Sequence, residues 1–167
     1  MSKYIVIILI TFYFFLHQVS FAQLQTVQFE QLDSLQQIKK RPVVVFLHTS
    51  WCKYCSTMKN TTLKNKEVQQ LLNQKFYFVS LDIEEKKDIL FGGYTFKHKP
   101  TGASIGVHEL AEQLGTINGE IAYPGICFLN ANYEIIYQKE GYVSSKDFLF
   151  ILNELSKQMH GMQNKQY

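Results

Sequence analysis

Cys52 and Cys55 stand three positions apart in the run Trp51-Cys52-Lys53-Tyr54-Cys55. So short a loop removes little unfolded-state entropy, which makes the pair a poor structural staple. The spacing suits chemistry instead. If a helix starts at Cys52, its unpaired N–H groups and positive dipole end favour a thiolate there. Cys55 then lies one turn along, able to attack any mixed disulfide formed at Cys52 and release the partner reduced. On this reading Cys52 is the exposed attacking thiol and Cys55 the more buried resolving one. Lys53 adds a nearby cation, and the intervening Lys53-Tyr54 pair tunes the redox poise through the stability of the thiolate. Trp51 offers a flat apolar surface beside the sulfur for a docking polypeptide.

A C-x-x-C is also half of a metal site. His48 precedes Cys52 by four residues, whereas His98 and His108 lie much further along the chain. Copper binding or delivery through the two thiols with His48 is therefore the alternative reading, although the leading one needs no metal and no cofactor. A third is a non-catalytic binding module whose residues 83–122 recognise one partner. Cys127 falls inside an apolar run and reads as a buried core thiol.

The elements that must position the pair follow from hydrophobic periodicity. Phe29, Leu32, Leu35 and Ile38 recur at helical spacing and predict a helix over about 28–40, ended by Pro42. Residues 43–48 (VVVFLH) are a continuous apolar run, the pattern of a strand buried on both faces. Thr49-Ser50-Trp51 is a turn, and a helix follows from Cys52 to about Asn73, bent near Thr61-Thr62, with Met58, Leu63, Val68, Leu71 and Leu72 inward. A second strand covers 76–82. Residues 83–90 are charged and read as a short helix or loop, and 91–102 as irregular or a hairpin. Ser104 is placed to cap a helix from Ile105 to Leu114, ended by Gly115. Strands over 126–129 and 133–137, joined by Asn130-Ala131-Asn132, form a hairpin that Gly141 breaks. Ser144 or Ser145 caps a last helix with Phe148, Ile151, Leu152 and Leu155 inward. The order is a βαβ unit followed by a ββα unit, an α/β fold.

With 167 residues, 46% of them hydrophobic and 19% charged, the chain has enough apolar material for a core and is not of disordered composition. The net charge of +3 and the lack of a long Lys/Arg run argue against nucleic acid as a partner; the densest basic cluster, Lys39-Lys40-Arg41, falls at a predicted helix end, where cations are favoured. Lys3, the apolar stretch from Tyr4 to Leu16 and the small residues Ser20 and Ala22 read as a secretory signal at 1–22, cleaved before Gln23. An uncleaved N-terminal anchor is the alternative, but a span needs about 20 apolar residues and this run is shorter. No stable membrane span is expected once the signal is removed. Export also suits the cysteines, because disulfides persist in oxidising compartments.

Taken together, the strand Val43-Val44-Val45-Phe46, the WCxxC at 51–55, Tyr123-Pro124 ahead of the strand 125–130, and Gly141 before the last helix make the chain similar to the thioredoxin superfamily. Its nearest flavour is the exported bacterial thioredoxin-like group, with which it shares Lys66-Glu67-Val68. The resemblance covers roughly 27–158, apart from an insertion at about 83–122, and implies a thioredoxin-like domain over 23–167 with a central mixed sheet flanked by helices. It implies that Tyr123-Pro124 is a cis peptide lying against the cysteine pair, with the Tyr123 backbone open to an extended substrate. It implies thiol–disulfide exchange in the bacterial periplasm, as a reductant, with disulfide-containing protein substrates and an upstream thiol–disulfide electron donor. One departure stands out. The superfamily usually buries an Asp six residues before the first cysteine, as a proton acceptor, and here that residue is Phe46. Asp82 and Glu84 are the stand-ins the sequence offers.

Overall fold

The computed structural model describes residues 23–102 and 106–163. The expected signal segment at 1–22 lies outside them. So do Ser104 and Ile105, the expected start of a helix.

The central sheet has four strands in the order β10-β9-β1-β2. β1 (Val43–His48) runs parallel to β2 (Tyr77–Asp82) and antiparallel to β9 (Gly125–Leu129), which pairs antiparallel with β10 (Ile135–Glu140). Every residue of β1 is buried. That is the expected consequence of a strand flanked on both sides and covered on both faces. Because side chains alternate across a strand, Val43, Val45 and Leu47 face one core, with Phe29, Leu32, Leu110 and Cys127. Val44 and Phe46 face the other, with Cys52, Cys55, Met58, Phe128 and Phe148.

α1 (Phe29–Ile38) precedes β1. Its expected inward residue Ile38 is instead 82% exposed, while Gln36 is buried. The Gln36 amide both donates to the Arg41 carbonyl and accepts from the Arg41 N–H, bridging the turn into β1. A polar residue thus takes the inward position because the turn's backbone needs partners there. Arg41 in turn donates to the Asn73 carbonyl and lies over the Tyr77 ring, so part of the basic cluster serves the fold.

The helix expected over 52–73 is three pieces: α2 (Lys53–Asn60), a 3₁₀ turn (Thr62–Lys64) and α3 (Lys66–Lys75). The break falls where a bend was expected and has two causes. The buried Thr62 hydroxyl donates to the Val143 carbonyl, and Asn65 caps α3 by accepting from the Glu67 and Val68 N–H groups.

Between β2 and Tyr123 the described residues form three small two-stranded units and one short helix. β3 (Ile89–Phe91) pairs with β4 (Tyr94–Phe96), β5 (His98–Pro100) with β6 (Gly106–His108), and β7 (Thr116–Ile117) with β8 (Glu120–Ile121). The helix expected from Ile105 starts later, as α4 (Glu109–Gly115), because residues 106–108 are a strand. His108 caps it, accepting from the Leu110 N–H at 3.2 Å. Phe91 and Phe96 are buried there and Tyr94 is exposed.

β10 begins at Ile135, two residues later than expected, since Tyr133 and the Asn130 turn carry the chain round first. Gly141 ends the hairpin at φ +79°, a conformation open to glycine. Ser144 then precedes α5 (Ser145–Gln163) and bonds Asp147 through both its hydroxyl and the Asp147 N–H. No helix among the described residues is long and apolar enough to cross a membrane.

Phe128 ties the second core together, its ring within 5.8–6.4 Å of those of Phe76, Tyr137 and Phe148. Phe128→Ala is expected to lower the unfolding free energy by about 3–5 kcal/mol in urea, with an unchanged m-value. A loss below about 1 kcal/mol would show that this core is not packed as described.

Candidate active site

β1 delivers the chain directly to the site. Its last residue, His48, is followed by the turn Thr49-Ser50-Trp51, and Cys52 is the N-cap of α2. The Cys52 sulfur accepts a hydrogen bond from the Cys55 N–H at 3.0 Å. An N-cap acceptor is ordinarily Ser, Thr, Asn or Asp, and here a sulfur fills the role. Cys52 and Cys55 are joined as a disulfide, their Cα atoms 5.2 Å apart. Both sulfurs belong to residues with little exposure, 8% for Cys52 and 1% for Cys55. The expected order of burial holds, but Cys52 is less open than an exposed attacking thiol was expected to be.

Two aromatic residues, Trp51 and Tyr54, adjoin the pair in the chain. Trp51 is 60% exposed and Tyr54 70%. Tyr123 meets Trp51 edge-on, with ring centroids 5.4 Å apart. This contact brings the turn before α2 against the segment before β9. The Tyr123-Pro124 peptide is cis, and the Pro124 carbonyl accepts from the Gly141 N–H at 2.8 Å. Gly125 follows under tight constraint, because a Cβ there would lie 2.6 Å from the Ala122 carbonyl oxygen. Beside Tyr123 runs an open groove of about 490 Å³ lined by Ile121, Ala122, Tyr123, Lys139, Glu140 and Gly141. Lys53 points to solvent at the start of α2.

The two expected carboxylate stand-ins bond elsewhere. The Glu84 carboxylate accepts from the Trp51 indole N–H, with both oxygens at 3.2 Å. The Asp82 carboxylate accepts from the Glu84 N–H at 3.0 Å. Together they brace the tryptophan from the end of β2.

Sequence reasoning missed a polar cluster on the same face. His48 and Phe46 alternate to the α2 side of β1, and their rings lie 5.4 Å apart. One ring nitrogen of His48, Nε2, is 2.9 Å from Ser80 Oγ, and the other, Nδ1, is 3.1 Å from Lys59 Nζ. Lys59 Nζ also lies 5.9 Å from the Phe46 ring centroid. Burial, and then the Lys59 charge, lower the His48 pKa from 6.5 to about 4, so the ring is neutral at pH 7. Burial lowers Lys59 as well, against the pull of Asp82. A lysine four residues after Cys55 was the signal available in the sequence, since positions i and i+4 share a helix face. His48, the nearest further ligand for the copper reading, thus has both ring nitrogens engaged. Among the described residues no group of three His, Cys, Asp or Glu side chains could hold a metal ion. Cys127 is fully buried on the opposite face of the sheet, and burial pushes its thiol up to about 12.

A four-stranded mixed sheet with helices on both faces, a cysteine pair at a strand-to-helix turn and a cis-proline before the antiparallel strand define a thioredoxin-fold protein. The family model for the thioredoxin-like domain matches residues 28–156, and the chain belongs to that family. A search of curated proteins finds no match. Among solved structures, a thioredoxin from Thermus thermophilus is 23% identical with a TM-score of 0.56, covering 80% of this chain and 88% of that one. A thioredoxin-fold protein from Helicobacter pylori is 15% identical, with a TM-score of 0.56 and coverage of 83% and 80%. A DsbH oxidoreductase is 18% identical, with a TM-score of 0.51 and coverage of 72% and 78%. At these identities the likeness establishes the fold.

The depressed His48 pKa has a measurable consequence. Unfolded, His48 takes up a proton below about 6.5, whereas folded it does so only near 4. The neutral ring therefore contributes stability that is present above pH 6.5 and lost as pH falls towards 4. NMR titration of the His48 ring is expected to give a midpoint near 4, and the midpoint should rise in Lys59→Met. A midpoint at the ordinary 6.5 would contradict the burial and the Lys59 contact.

Proposed function

We propose that this chain is a thiol–disulfide oxidoreductase acting on exported, disulfide-containing proteins, with Cys52 as nucleophile and Cys55 as resolver. The observation that carries the reading is the Cys55 N–H aimed at the Cys52 sulfur across a closed disulfide at the first turn of α2. Once the pair is reduced, that N–H and the helix dipole favour Cys52 as a thiolate.

The exchange balances in two steps. The Cys52 thiolate attacks one sulfur of a substrate disulfide. A Cys52–substrate bond forms, the substrate S–S bond breaks, and the departing sulfur takes a proton from water. Cys55, losing its thiol proton, then attacks the Cys52 sulfur. The Cys52–Cys55 bond forms, the mixed disulfide breaks, and the second substrate sulfur leaves as a thiol. Two electrons have passed to the substrate, and an upstream thiol–disulfide donor restores the dithiol.

Trp51, Tyr123 and Pro124 form the substrate-binding surface. The exposed faces of Trp51 and Tyr123 suit an extended apolar segment, and the backbone at Tyr123 borders the open groove. Lys53 and Tyr54 set the redox poise. Residues 1–22 act as the export signal, residues 23–167 as the working domain, and the bacterial periplasm is the compartment. The direction of electron flow is reduction of the substrate.

Cys52→Ser is expected to abolish reduction of insulin disulfides, while Cys55→Ser retains the first attack and accumulates a mixed disulfide detectable by mass spectrometry. Full activity in Cys52→Ser would overturn the reading. The potential of the Cys52–Cys55 couple is expected near about −270 mV, and a value near about −120 mV would reverse the assigned direction.

A further inference from the structure

Completing the exchange requires Cys55 to become a thiolate at a position that is 1% exposed. Burial opposes this, as the fully buried Cys127 illustrates: desolvation alone holds that thiol as the neutral acid. The sheet beneath Cys55 offers Phe46, an aromatic ring, rather than a polar side chain. A compensating charge must come from elsewhere.

Lys59 is placed to supply it. It follows Cys55 by four residues on α2, so the two side chains occupy one helix face, with Cβ atoms about 5–6 Å apart. Its amine turns inward, over the Phe46 ring and onto His48 Nδ1. An ammonium group has three donors and no acceptor, so a charged Lys59 makes Nδ1 the acceptor and leaves the ring proton on Nε2, which donates to Ser80 Oγ. Asp82, paired in register with His48 at the end of β2, is the counter-charge felt by both. Glu84 is taken up by Trp51, and Lys53, at the first turn of α2, points to solvent. The chain Ser80–His48–Lys59, spanning β2, β1 and α2, thus holds a half-buried cation over the Phe46 ring, which packs in the same core cluster as Cys55.

We propose that Lys59 is the positioning residue for the second half of the exchange: its ammonium, drawn inward by His48, favours Cys55 as the thiolate that closes the disulfide. This rests on the thiol-exchange reading above and assigns the work of the absent carboxylate at position 46 to a cation. The balance of the step is unchanged. Lys59 neither gains nor loses a proton over the cycle, the Cys55 proton ends on the released substrate thiol, and the electron pair moves from Cys55 to the Cys52 sulfur.

The test separates the two half-reactions. Reduced protein mixed with an aromatic disulfide such as 5,5′-dithiobis(2-nitrobenzoate) releases one coloured thiol on attack by Cys52 and a second on resolution by Cys55. Lys59→Met keeps the stem over Phe46 and removes the charge. It is expected to slow the second phase about tenfold at neutral pH, to move that phase's pH profile up by about one unit, and to leave the first phase nearly unchanged. Lys59→Arg, which keeps the charge, should restore the second phase. Should Lys59→Met not fold, Lys59→Gln carries the same comparison. A second phase in the charge-free variant that overlays the wild type across the pH range would overturn the role of Lys59 while leaving thiol exchange intact. A wild-type protein that releases no thiol in either phase would overturn both.

Discussion

The structure turns on one hydrogen bond, from the Cys55 N–H to the Cys52 sulfur. It exists only because a helix is capped at Cys52, and the helix starts there because β1 ends at His48 and a three-residue turn follows. β1 can be wholly apolar up to Leu47 because β2 and β9 flank it and helices cover both its faces. The sulfur therefore stands at the end of a fully buried strand, where the backbone N–H groups of the first helical turn have no other intrahelical partner. A preorganised donor of this kind strengthens as charge develops on the atom it faces, because hydrogen bonds to ionised acceptors are the stronger ones.

Around that bond the site is divided by polarity. On the solvent side, Trp51 and Tyr123 meet edge-on and leave much of their surface open, with Glu84 holding the indole N–H. On the inner side, the period-two alternation of β1 and β2 sends Phe46, His48, Ser80 and Asp82 toward α2, so that an aromatic floor gives way to a polar patch at the C-terminal ends of the strands. The first surface suits an extended polypeptide and the second suits control of charge at Cys55. Cys127 lies across the sheet from both, buried in the other core.

Much of this was legible in the sequence. The buried strand at 43–48, the turn and the WCxxC fix the site because a run of β-branched and aromatic residues followed by a break has few structural solutions. Tyr123-Pro124 and Gly141 stood out through the resemblance to the thioredoxin superfamily, and the cis peptide and the positive φ of Gly141 agree with it. The departure at Phe46 was visible, but its consequence was not. Lys59 and His48 meet only through the crossing of α2 over β1; the i, i+4 spacing from Cys55 put Lys59 on the cysteine's helix face, but nothing local marked its amine as reaching His48. Glu84 illustrates the reverse error: proximity in sequence to the end of β2 suggested a role at the sulfur, whereas its carboxylate faces the tryptophan. Ile38 and the helix expected from Ile105 failed because tertiary hydrogen bonding, at Gln36 and along β6, overrode local periodicity.

The central claim is that Cys52, once reduced, is held as an anion by the first turn of α2. Its most direct test is the thiolate absorbance of the reduced Cys55→Ser, Cys127→Ser protein followed against pH. A Cys52 midpoint at or below about 7.5 is the result this account requires, and a midpoint at the ordinary value of about 8.5 would contradict it.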